Sequence, residues 1–293
     1  MQLDSRQTSA FLAVAKHASF DIAAQHLHLT SSALSQRIKA LELQLSTILF
    51  VRSRPCRLSP SGQRLLTHLL RLQGLEQDML QDMRGEGAGI TRLALAINAD
   101  SLDTWFLPAL ANFAKPEQIS LDICVDDQDH THQLLAQGQV SACISTEASS
   151  LQACQANYLG TMRYQAACSS DFYQQWFSKG VDFASLRLAP IVNYNRKDQL
   201  QARFMSEYYD LQATPACHYI PASTPFNQAL SLGLGWGMVP ELMLSKIQPG
   251  LQLLAPDKPI DLALYWHCWT IQSLSLNALA QHLAKHSKLY LRP

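Results

Sequence analysis

Residues 20–45 read FDIAAQHLHLTSSALSQRIKALELQL, two short helical periods separated by a tight polar turn. Phe20, Ala23, Ala24 and Leu27 fall on one stripe at helical spacing. Beyond the turn, Thr30 or Ser31 is placed to cap a second helix whose Leu34, Ile38, Leu41 and Leu45 share a buried side. Ala23, Ala24 and Ala33 are small enough to let the two helices cross closely. The other side of the second helix shows Ser32, Ser35, Gln36 and Lys39, with Ser31 at its start and Arg37 flanking it. Two crossing helices with one basic, hydroxyl-rich face make a helix-turn-helix, which lays its second helix in a DNA major groove. A solvated amphipathic hairpin would show the same periodicity, so the surroundings must decide.

They favour DNA. Leu49 to Leu58 is a β-prone run, an Arg- and Pro-bearing turn and a return, the pattern of a wing that carries Arg52, Arg54 and Arg57 toward phosphates. Residues 1–72 hold 9 Lys+Arg against 3 Asp+Glu, and the remaining residues hold 14 against 20, so a net charge of zero hides a basic module joined to an acidic body. That asymmetry is expected of a nucleic-acid binder.

Residues 1–62 resemble the winged helix-turn-helix of the LysR-type transcriptional regulators. The matching residues are Phe11-Leu12-Ala13-Val14-Ala15, Ser19-Phe20, Ala23-Ala24, Leu27, Ser32-Ala33-Leu34-Ser35, Ile38, Leu41-Glu42, Leu49-Phe50-Val51-Arg52 and Ser59-Pro60-Ser61-Gly62. The resemblance continues through the body toward the ArgP/LysG branch, regulators that sense basic amino acids. It rests there on Ser35-Gln36-Arg37-Ile38-Lys39, Asn98-Ala99-Asp100-Ser101, Thr104-Trp105, Leu107-Pro108-Ala109-Leu110 and Leu264-Tyr265-Trp266-His267. Related recognition helices carry Gln at the position of Ser31, so a bidentate adenine reader is absent there.

From Ser59, an N-cap candidate, and Pro60, suited to a first helical position, a long helix follows. Leu65, Leu66, Leu69, Leu70, Leu72, Leu75, Met79, Leu80 and Met83 give it a broad apolar face. Periodicity alone leaves open packing on the chain's own body or on a second copy. The resemblance implies the second copy, and with it two recognition helices reading a two-fold symmetric site. The expected domains are a winged helix-turn-helix over 1–58, a linker helix and Gly-rich hinge over 59–89, and an effector-binding domain over 90–293.

After the hinge, strands and helices alternate: strands at 93–97, 119–125 and 142–145, helices at 101–113 and 131–136. Such βαβ alternation implies an α/β domain with a mainly parallel sheet and ligands at the carboxyl ends of its strands. The chain is expected to cross near 162–167, with strands near 190–194 and 218–220, to return at 264–269, and to close with a helix at 274–286. The resemblance implies a two-lobed, periplasmic-binding-protein-like arrangement, with lobe I about 90–162 and 267–293 and lobe II about 163–266.

The strand-end rule nominates cleft residues. These are Asn98, Asp100, Ser101, Thr104 and Trp105 after the first strand, Asp126, Asp127 and Thr131 after the second, and Asn193, Ser223, Thr224 and Phe226 in the second lobe. Gathered carboxylates repel one another unless a cation binds, so a positively charged ligand fits. The resemblance implies lysine or arginine. Asx turns and helix caps would account for the same acids without a ligand.

Other classes find little support. There is no G-x-S-x-G, no H-E-x-x-H and no Cys/His set with metal spacing, so neither an enzyme nor a cofactor or metal is expected. Gly233-Leu234-Gly235-Trp236-Gly237 lacks the spacing of a phosphate loop and reads as a tight turn. The seven cysteines contain no C-x-x-C and read as reduced thiols. No apolar run is long enough for a membrane span and the N-terminus is too polar for a signal peptide, so a cytoplasmic protein is expected. The expected partners are promoter DNA, a small effector, further copies of the chain as dimer or tetramer, and RNA polymerase at the promoter. The alternatives are the same architecture sensing an unrelated small molecule, or a small-molecule binder without specific DNA activity.

Overall fold

The computed structural model describes residues 3–51, 56–84, 91–114, 119–125, 131–151, 153–212, 214–244, 250–270 and 272–293. It separates into two compact units, residues 1–89 with 133–140, and residues 90–132 with 141–293.

In the first unit, helices α1 (Ser5–His17), α2 (Phe20–His26) and α3 (Ser31–Gln44) start at capping side chains. Asp4 accepts from the Arg6 amide, Ser19 from Ile22 and Thr30 from Ala33. Each cap satisfies a first-turn N–H that has no partner inside its helix. The helices close on a core of Ala10, Phe11, Val14, Ala23, Ala24, Leu34, Ile38 and Leu41. Strands β1 (Phe50–Val51) and β2 (Arg57–Leu58) pair antiparallel, so the wing forms, while Arg52 and Arg54 lie outside the described residues. Phe50 plugs the wing into the core, 5.2 Å from the Phe11 ring and 5.7 Å from that of Phe20. The Glu42 carboxylate accepts from the Leu49 and Phe50 amides and ties the end of α3 to the wing. Helix α4 (Pro60–Arg84) then starts at Ser59, which accepts from the Gly62 amide. Gly62 is required there, because a Cβ would lie 2.1 Å from the Leu49 carbonyl oxygen. Farther along α4, Leu72, Met79 and Leu80 are exposed.

The second unit opens with β3 (Thr91–Ile97), a short helix α5 (Ala99–Ser101), one π turn over Leu102–Phe106 and α6 (Leu107–Ala114). There follow β4 (Ile119–Val125), α7 (Thr131–Ala136), β5 (Ala142–Ser145) and the long strand β6 (Cys154–Ser169). Helices α8 (Ser170–Phe177) and α9 (Phe183–Leu188) lead to β7 (Ile191–Asn193), α10 (Leu200–Tyr209), β8 (Cys217–Tyr219) and α11 (Ser223–Ser231). The chain ends with β9 (Gly237–Pro240), α12 (Glu241–Leu244), β10 (Leu251–Leu253), β11 (Ile260–Trp269) and α13 (Leu274–His286).

The main sheet has the order β10-β6-β11-β5-β3-β4, with β9 also on β6; β7 and β8 pair separately and in parallel. Within the main sheet, parallel pairing is confined to β3 with its neighbours β4 and β5, so the expectation of a mainly parallel sheet is corrected to a mixed one. The cause is that β6 and β11 carry the chain between lobes in opposite directions and lie side by side over ten paired positions. Where they cross, Gly160 sits at φ 139° against the C-terminal residues, and a Cβ there would meet Leu291 Cβ at 2.6 Å. Thr161 and Arg292 exchange backbone hydrogen bonds beside it.

Candidate functional site

The first surface is the outer side of α3. Its inner side buries Leu34, Ile38 and Leu41, and helical geometry turns Ser32, Gln36 and Lys39 outward, all exposed. Ser35 and Arg37 are half-buried at the margin. Ser31 is exposed, and its hydroxyl donates to Asp21 at 2.7 Å, joining the starts of α2 and α3. Arg57 stands exposed on the wing. Among the described residues, no ion pair engages Arg37, Lys39 or Arg57. Cations left uncompensated beside hydroxyls and an amide suit a polyanion with readable base edges.

The second surface is a cleft of about 590 Å³ in the second unit, lined by Asn98, Ala99, Asp100, Tyr194, Asp198, Leu200, Ser223, Phe226, Asn227, Met238, Pro240 and Met243. It lies at the carboxyl ends of the parallel strands β3, β7 and β8, where open α/β sheets bind their ligands. Asn98, Asp100, Ser223 and Phe226 come together there from the two lobes. Asp100 Oδ2 accepts from the Tyr164 hydroxyl at 2.8 Å, and its carbonyl accepts from Thr104 Oγ1. Asn98 is 3% exposed and its Oδ1 has no hydrogen-bond partner among the described residues. Across the cleft, Asp198 Oδ2 accepts from the Tyr194 amide at 2.9 Å and its Oδ1 from the Leu200 amide at 3.0 Å. Helix α11 follows Ala222, which gives it no side-chain cap, and its first residue, Ser223, lines the cleft. No lysine, arginine or histidine is among these lining residues.

Six nominated residues lie outside the cleft lining. Ser101 and Trp105 are fully buried, because the helical turn that presents Asn98 and Asp100 rotates them into the core. Thr104 spends its hydroxyl on the Asp100 carbonyl, and Thr131 donates to the Ile144 carbonyl at 2.6 Å. Asn193 Nδ2 donates to the Asp198 carbonyl at 3.5 Å and so supports the loop. Thr224 is exposed on α11. Asp126 and Asp127 lie outside the described residues. Sequence reasoning missed Tyr194 and Asp198, although a strand followed by Asn195-Arg196-Lys197-Asp198 is a turn signature at a strand's carboxyl end. It also missed Asn227 and the apolar lining of Leu200, Met238, Pro240 and Met243.

Other titratable groups pack. The His132 and His267 rings meet at 4.7 Å, and His267 Nε2 donates to the Glu147 carbonyl. Burial pushes both imidazoles below the usual histidine range, which keeps them neutral at neutral pH. Burial likewise pushes the Cys168 thiol up to about 12 and raises Cys143 and Cys268, the opposite of an activated thiolate. Among the described residues no three His, Cys, Asp or Glu are placed to hold a metal, and no helix is long and apolar enough to cross a membrane.

A family model described as the bacterial regulatory helix-turn-helix protein, lysR family, matches residues 5–63, and one described as the LysR substrate binding domain matches residues 87–288. The chain is 38% identical over 274 residues to the HTH-type transcriptional regulator LysG of Mycobacterium tuberculosis, covering 93% of this chain and 89% of that one. It superposes on the crystal structure of ArgP from Mycobacterium tuberculosis with a TM-score of 0.89 at 34% identity, over 99% of both chains. Full-length LysG from Corynebacterium glutamicum with bound effector Arg matches with a TM-score of 0.81 at 30% identity, over 99% of this chain and 100% of that one.

Proposed function

The chain belongs to the LysR family of bacterial helix-turn-helix transcriptional regulators, and on that premise we propose that its effector is a basic amino acid, arginine or lysine, held in the cleft between β3 and β7. The observation that carries this reading is the cleft's charge. Asp100 and Asp198 face it from two lobes, Asn98 adds a buried acceptor unpaired among the described residues, and no basic side chain is among the described lining residues. A cation between two carboxylates gains charge-assisted hydrogen bonds from both. The relative whose structure holds Arg supports the same choice.

Promoter DNA meets the outer side of α3. Ser32, Ser35 and Gln36 face base edges, while Arg37, Lys39 and Arg57, with Arg52 and Arg54, face phosphates. The exposed Leu72, Met79 and Leu80 of α4 pair with a second copy, so the working form is a dimer or a tetramer. The protein is cytoplasmic, acts by binding rather than by catalysis, and meets RNA polymerase at the promoter. Closure of the lobes on the effector shifts the population toward a form with different DNA contacts.

Thermal unfolding of the full-length protein across the twenty amino acids tests the effector. Arginine or lysine should raise the melting temperature in a saturable way, and glutamate should not. Anisotropy on labelled promoter DNA should then change when that amino acid is added. If no basic amino acid stabilises the protein while a neutral or acidic one does, the charge reading is wrong.

A further inference from the structure

The two walls of the cleft offer different chemistry. The loops after β7 and β8 form one wall, since these strands run parallel in register and the Ile220 amide donates to the Asn193 carbonyl. That wall carries a carboxylate, Asp198, fixed by two backbone amides, and the uncapped first turn of α11 at Ser223. It therefore offers both an acceptor, Asp198, and donors, the Ser223 hydroxyl and first-turn amide. The opposite wall, the turn after β3, presents acceptors: the Asp100 carboxylate and the buried Asn98 Oδ1, which has no partner among the described residues.

An α-amino acid carries its carboxylate and ammonium on one carbon, so both must find partners on the same wall. Among the described lining residues, the Asp198–α11 wall has donors and an anionic acceptor together. We propose that this wall holds the amino-acid end of the ligand, and that Asp100 with Asn98 reads the cation at the end of its side chain. The proposal rests on the basic-amino-acid reading above. A buried acceptor without a donor is costly, and a guanidinium, with five N–H donors in a fixed fork, can reach a carboxylate and an adjacent amide oxygen together. Asp100 and Asn98 are thus specificity-determining residues, and Asp198 an anchoring one.

Calorimetry on the full-length protein, with arginine against citrulline and lysine against norleucine, separates these roles. Citrulline and norleucine keep the amino-acid end and lose the distal charge. Asp100→Asn should weaken arginine by about tenfold to a hundredfold, the worth of a hydrogen bond to a charged group. Citrulline should then change little, so the preference between the two collapses. Asp198→Asn should weaken arginine and citrulline together and leave their ratio in place. Asp100→Glu, which lengthens the reading acid, should move preference from arginine toward the shorter ornithine, an outcome no merely structural role produces. An arginine-to-citrulline ratio unchanged by Asp100→Asn, or one collapsed by Asp198→Asn, overturns the assignment. Wild-type protein that binds neither arginine nor lysine overturns the reading beneath it instead.

Discussion

The outer side of α3 and the cleft of the second unit use charge in opposite ways. On α3, cations stand in solvent with no ion pair to compensate them among the described residues, on a scaffold whose own core is apolar. In the cleft, Asp198 and Asp100 are half-buried and each hydrogen-bonded by the protein, and Asn98 is buried. An exposed cation is screened by salt and gains by releasing counterions from a polyanion. A buried acceptor is shielded from salt and rewards one donor in one geometry. The molecule thus reads a long, charged, partly interchangeable target on one side and a small target of defined shape on the other. Each surface also sits on its own hydrophobic core, which makes the two readings separable by mutation.

The largest test of that separation removes the aromatic centre of the first core. Phe11 is fully buried against Phe50, and Phe11→Ala should destabilise the N-terminal unit by about 3–5 kcal/mol. Calorimetric unfolding should show the transition of that unit moving down, with DNA binding abolished on warming. Arginine should still protect the second unit. Disappearance of both activities together would show that the two units do not melt independently. Gly160→Ala probes the other side with a smaller blow. The added methyl meets Leu291 at a backbone angle that favours glycine, and the cost should be about 1–3 kcal/mol. It should loosen the crossing of β6 and β11, weaken arginine binding and leave promoter binding without effector intact. Unchanged arginine affinity would show that the packing of Leu291 on Gly160 plays no part in holding the lobes.

The two surfaces differ as much in how far a sequence reveals them. The α3 face is local: fourteen residues of helix, a Thr cap and leucine spacing place Ser32, Gln36 and Lys39 outward without any distant partner. The final helix, Leu274–His286, is legible for the same reason, with Ser273 as its cap. The cleft is assembled from residues between 98 and 243, and only strand ends hint at it. Asn98 and Asp100 follow β3 directly, so they can be found. Trp105 is nominated with them but is fully buried, because it lies within the π turn that resets the helical phase before α6. Asp198 escaped although its strand, Ile191–Asn193, is legible, because it lies in the loop beyond the strand end and is fixed there only by the Tyr194 and Leu200 amides. The sixteen-residue β6 also hid, since most of its C-terminal half is buried on both faces and shows no alternation.

The smallest expected effect is the most diagnostic of the α3 surface. Lys39 is exposed and unpaired among the described residues, so Lys39→Ala should leave folding and effector affinity unchanged. If it faces a phosphate, promoter affinity should fall for every duplex alike, and the slope of log affinity against log salt should flatten by roughly 0.9 for each phosphate no longer neutralised. Gln36→Ala supplies the contrast from one turn away on the same helix. It should spare the slope and relax preference at one base pair, because an amide that reads a base edge carries sequence information and a lysine on phosphate does not. In the cleft, by comparison, arginine affinity should change little over the same salt range. A Lys39→Ala protein that keeps its full salt slope would take Lys39 off the phosphate backbone and leave neutralisation there to the arginines of the wing.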